Sequence, residues 1–137
     1  LILMKKLILT TLAGFVASFI FGSISYFLYY EKLMVALMEK YPASIKTEPD
    51  LMIGMGAGLV QSLLMAYSFD KMNFNTLKSG ALNGIWFAGG IWMIANLNNL
   101  SMLSFYETSF VITDTVISAA LGAFAGAAIG WTLDKQK

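Results

Sequence analysis

The chain contains no cysteine, no histidine and no arginine. Without thiols there is no disulfide, no thiolate nucleophile and no cysteine-held metal. Without imidazole, histidine triads and the commonest zinc sites are excluded. All nine basic residues are lysines, so the planar fork that grips phosphate at two points is missing too. Charge is scarce: 12% of the 137 residues are charged, against roughly 25% in soluble domains. A net charge of +1 without a basic cluster argues against nucleic acid as a partner. These gaps leave no expected catalytic residue, cofactor or metal site.

What fills the chain is apolar: 58% of its residues are hydrophobic and the mean hydropathy is +0.70. A soluble domain of this size has too little interior to hide that surface, whereas lipid accepts it. A bilayer core is about 30 Å thick and takes about 20 apolar residues as a helix. Four runs qualify, at about 7–29, 51–69, 79–97 and 109–132. The expectation is a single all-α domain over residues 1–137, an integral membrane four-helix bundle.

Lys5 and Lys6 before an apolar run resemble a signal peptide, but the run is too long and lacks a small-x-small cleavage site. Tyr26, Tyr29 and Tyr30 read as an aromatic belt at the far interface. Residues 31–41 are amphipathic, either a protruding continuation of the first helix or an interfacial segment. Pro42 ends it, and Asp50 is placed to cap the second helix. Ser104-Phe-Tyr-Glu107 has capping-box spacing, so the fourth helix starts there or at Phe110. With the N-terminus inside, Lys5, Lys6, Lys71, Lys78, Lys135 and Lys137 face the cytoplasm and Lys32, Lys40 and Lys46 do not. That asymmetry favours N-in and C-in.

Small residues recur every fourth position in each run. They are Gly14, Ser18 and Gly22; Gly54 and Gly58; Gly80 and Gly84; and Ser118, Gly122, Gly126 and Gly130. Steps of four form a groove on one helix side where another backbone can lie close. Such a stripe drifts about 40° per step, which predicts that the two ends of the fourth helix meet different partners. The halves also align, Gly14/Ser18/Gly22 on Gly80/Gly84/Ala88 and Gly58/Ser62/Ala66 on Gly122/Gly126/Gly130. Either this is a repeat of two tandem hairpins, or any small-residue helix aligns with any other.

Asp114 is the only carboxylate inside a run. A carboxylate there faces protein or water rather than lipid. It is a candidate proton or cation site with Asn96, Gln61, Thr113 and Thr115 as neighbours, or a structural acid near the outer interface. No lysine lies within a run to neutralise it. Asn83, Asn96, Asn98 and Asn99 read as interhelical glue and caps. Gly54-Met-Gly-Ala-Gly58 lacks the strand and Lys-Ser/Thr of a nucleotide loop.

Three features resemble a family of small four-helix bacterial membrane proteins known only as a domain of unknown function. They are the aromatic end of the first helix after a glycine (Gly22-Ser-Ile-Ser-Tyr26), the pair Asn98-Asn99, and the aspartate of Thr113-Asp114. The tryptophan beside Tyr26 and the glycine after Asp114 that this family carries are absent here. The resemblance implies the fold and no activity.

The resulting expectation is a multi-pass, non-enzymatic protein of the bacterial inner membrane. It would act as a packing or accessory subunit among lipids, either as a homo-oligomer or with other membrane subunits. The alternative is a small oligomeric channel or transporter that uses Asp114.

Overall fold

The computed structural model describes all residues from Leu1 to Lys137, and they form helices and no strand. The helices are α1 (Ile2–Lys40), α2 (Leu51–Lys71), α3 (Leu77–Met102) and α4 (Thr108–Lys135). Three of them, α1, α2 and α4, are long and apolar enough to cross a membrane. The third run is as long, with 26 residues, but less apolar. Its buried residues are small or polar, namely Gly80, Gly84, Ala88, Gly89 and Asn96. Its outward side carries Leu82, Ile85, Trp86, Ile94 and Leu97, all exposed.

The amphipathic segment after Tyr30 continues α1 without a break. Tyr26–Tyr30 is one π-helical turn, in which the Glu31 N–H donates to the Tyr26 carbonyl five residues back. The rod stops at Lys40, since a residue preceding proline is driven out of the helical region. Asp50 caps α2, its Oδ1 accepting from the Ile53 N–H at 3.1 Å. At the far end of α2, Asn73 takes the left-handed conformation (φ 59°), and the Phe74 N–H donates to the Phe69 carbonyl at 2.9 Å. That bond spans the last turn and closes it. Thr76 then caps α3 by accepting from the Ser79 N–H at 3.1 Å. The capping box expected at Ser104 does not form: α4 starts at Thr108 after Glu107, whose side chain caps nothing. Ser104 lies instead in the turn before it.

The fourth helix organises the bundle. Antiparallel to it runs α3, so close that the backbones touch. A methyl added at Gly80 or Gly84 would overlap the carbonyl oxygen of Gly126 or Gly122, and one at Gly130 would overlap that of Thr76. The expected divergence is absent along Gly122, Gly126 and Gly130, which all lie against the same neighbour, at Gly84, Gly80 and Thr76. A row of residues four apart is inclined to its helix axis, so a crossing neighbour follows the row and absorbs the drift.

On another side of α4 lies α1. Gly14 sits under Ile129, the Phe21 and Phe124 rings lie 6.0 Å apart, and Gln136 Nε2 donates to Thr10 Oγ1 at 3.1 Å. The second helix meets α1 through the Lys6–Asp70 ion pair (2.6 Å) and the stacking of Phe15 over Gly58. Met65 and Phe69 of α2 and Ala125, Ile129 and Leu133 of α4 form the apolar core. That core sits towards the end carrying both chain termini.

The two hairpins therefore pack differently. Backbone meets backbone in α3–α4, whereas side chains separate α1 from α2. Gly22, Gly54, Gly56 and Gly90 have no atom within 4 Å of where a Cβ would stand. Ser18 is half-buried on α1.

Candidate functional site

At the end opposite the termini, three helices converge on one carboxylate. Asp114 sits in the second turn of α4 and is 9% exposed. Tyr30, the last residue of the π-helical turn of α1, donates its hydroxyl proton to Asp114 Oδ1. Asn96 of α3, 3% exposed, donates from Nδ2 to Asp114 Oδ2 at 2.6 Å. The same amide nitrogen lies 3.4 Å from Thr115 Oγ1. Each carboxylate oxygen thus accepts one bond from a different helix.

No ammonium balances this acid. The two ion pairs of the protein, Lys6–Asp70 and Lys137–Asp134, are both at the other end. Compensation comes instead from the dipoles of a phenol and an amide. Both bonds are made inside the bundle, where a polar group left without a partner is costly. The arrangement ties α1, α3 and α4 together at a single point. No group of three or more histidine, cysteine, aspartate or glutamate side chains clusters to hold a metal.

Of the neighbours expected for Asp114, Asn96 and Thr115 are there. Gln61 is not: its Oε1 accepts from Trp92 Nε1 at 3.1 Å, a bond that joins α2 to α3. Thr113 is half-buried one position away and makes no side-chain hydrogen bond to the acid. Thr115, on the other side of Asp114 in sequence, is the flanking threonine that Asn96 reaches. Tyr30 is the participant that sequence reasoning placed elsewhere, in the interfacial belt. A usable signal was depth: Tyr30 and Asp114 lie a similar number of residues from Lys6 and Lys135, which mark the opposite end.

No family model, curated protein or solved structure matches the chain.

The other asparagines serve their own surroundings. Asn83 donates to the Ser79 carbonyl at 2.9 Å and accepts from Trp86 Nε1 at 2.8 Å. Asn98 bonds the Ile94 carbonyl at 3.0 Å, and Asn99 reaches the Tyr106 hydroxyl at 3.2 Å across the last turn. Three buried polar atoms have no partner, namely Thr11 Oγ1, Gln61 Nε2 and Ser62 Oγ. All three lie on α1 and α2, the loosely joined pair.

Proposed function

We propose that this is a small, non-enzymatic, multi-pass protein of a bacterial inner membrane, with four spans and both termini in the cytoplasm. In this reading it serves as a packing or accessory subunit, bound to further copies of itself or to other membrane subunits. The observation that carries the reading is the outer part of α2. Residues 51–57 are exposed at every position, so no side of those two turns is buried against the rest of the bundle. Gly54 and Gly56 lie there uncovered, and small residues are what allow a second helix to approach closely in lipid. Membership of the small four-helix family belongs to the same proposal and adds no activity.

The absence of cysteine makes the test clean. A single Gly54→Cys or Met55→Cys substitution, oxidised in native membranes, should give a cross-linked product heavier than the monomer. Its mass distinguishes a second copy from a foreign subunit. A lone monomer in mild detergent, together with no cross-link from either position, would overturn the reading.

A second reading, a small oligomeric channel or transporter, draws on the buried Asp114 without a cationic partner. Proton or cation flux in liposomes that disappears in Asp114→Asn would favour it. Absence of flux in the parent protein would remove it.

A further inference from the structure

We propose that the terminal end of the bundle binds one anionic glycerophospholipid, its phosphate held at Lys6 and Lys71 and an acyl chain lying in the groove between α1 and α2. A cavity of about 210 Å³ opens between these helices. Leu3, Met4 and Leu7 of α1 form one wall, Ala66 and Tyr67 of α2 form the other, and Leu133 of α4 underlies them. Lys6, Asp70 and Lys71 also line it.

The two lysines differ. Lys6 shares its charge with Asp70 at 2.6 Å. Lys71 belongs to neither ion pair of the protein; its ammonium folds back to 5.7 Å from the centre of the Tyr67 ring. One free cation and one shared cation thus stand over an apolar trough. That combination matches a phosphodiester joined to a hydrocarbon chain. Free phosphate would leave the trough empty, and a zwitterionic headgroup would bring its own cation towards Lys71.

The surrounding charge points the same way. The fold gathers Lys5, Lys6, Lys71, Lys78, Lys135 and Lys137 at this end against only Asp70 and Asp134. The other end carries Lys32, Lys40 and Lys46 against five carboxylates, namely Glu31, Glu39, Glu48, Asp50 and Glu107. An anionic leaflet attracts such basic ends by roughly 1 kcal/mol per lysine, or about fivefold in affinity. This site goes beyond the accessory role but rests on the membrane reading.

The test is native mass spectrometry of the full chain in mild detergent, with phosphatidylglycerol, phosphatidylcholine or inorganic phosphate added. Phosphatidylglycerol should be retained about tenfold better than phosphatidylcholine, and phosphate should not displace it. Lys71→Glu should abolish the preference and Lys71→Gln should cut it about fivefold. Lys78→Glu, at the same end but outside the cavity, should lower it less than Lys71→Gln does, because salt screens the more distant charge. Three results would overturn the site: equal retention of the two lipids, equal loss in Lys71→Glu and Lys78→Glu, or displacement by phosphate. A chain that never enters the membrane fraction would instead overturn the membrane reading.

Discussion

A methyl group on Gly84 has nowhere to go, because the carbonyl oxygen of Gly122 already occupies its place. Backbone cannot swing aside as a side chain does, so Gly84→Ala must part α3 from α4. Overpacking of this kind costs about 1–3 kcal/mol. By contrast, Gly22→Ala and Gly90→Ala meet open space inside helices and should not destabilise, gaining up to about 1 kcal/mol from alanine's better helix propensity. Thermal or detergent-induced unfolding of the three variants checks the contrast; equal effects would contradict the seam. The Asp114 junction makes a separate prediction. Tyr30→Phe should cost about 1–2 kcal/mol, near the upper range for hydrogen bonds between membrane helices. In an Asp114→Ala background the same change should cost less than about 0.5 kcal/mol, since the acceptor is gone. A double-mutant cycle measures this coupling, and additivity would dissolve the junction. At this scale the sequence disclosed Asp114 as an acid in need of shelter and the glycines as contact surface. It did not disclose Tyr30, because an aromatic near a helix end fits an interfacial belt equally well. Nor did it show which glycines are covered, since Gly54 and Gly84 have the same four-residue spacing and only tertiary packing separates them.

The π-helical turn acts on the scale of the whole first helix. A bond to the fifth residue back rather than the fourth puts one extra residue into that turn. Before the turn, α1 presents Gly14 to Ile129; at the turn's last residue, the helix presents Tyr30 to Asp114. Deleting Leu28, an exposed residue inside the turn, should therefore restore an ordinary helix with both faces still aligned. Deleting Ile20, also exposed but outside the turn, should rotate everything beyond it by about 100° and break the Tyr30–Asp114 bond. The expected outcome is a folded, near-parental Leu28 deletion and an Ile20 deletion destabilised at least as much as Tyr30→Phe, read by unfolding in detergent. The reverse ranking would contradict the role given to the turn. Helix number, type and most boundaries were legible from apolar runs, Pro42, and the Asp50 cap. The π-helical turn was not, because nothing in Tyr-Phe-Leu-Tyr-Tyr distinguishes it from an α-helical turn by periodicity. The run beginning at about 109 lies one residue from the observed start of α4 at Thr108; only the capping-box alternative at Ser104 fails, because that spacing is a local option and the Asn99–Tyr106 bond shows that the preceding turn is shaped by other contacts.

For the molecule as a whole, the decisive feature is how little of it is interior. Only 22 of 137 residues are buried, while large apolar side chains such as Ile8, Phe19, Leu64, Trp86, Ile112 and Phe124 face outward on all four helices. Water would penalise that surface at about 25 cal/mol per Å², and acyl chains would not. Hydropathy and lysine placement made this reading available before the fold was known, but the unequal packing of the two hairpins lay beyond them. Similar stripes in α1 and α3 carry no record of which neighbour fills them. The account therefore depends on four membrane crossings, including that of the less apolar α3. The most direct measurement is labelling of single cysteines by a membrane-impermeant maleimide in intact cells stripped of their outer membrane. Ser44→Cys and Ser104→Cys should label from outside. Asn75→Cys and Gln136→Cys should label only after the membrane is opened. Equal labelling of all four positions, or loss of the protein from membranes on alkaline washing, would contradict the account.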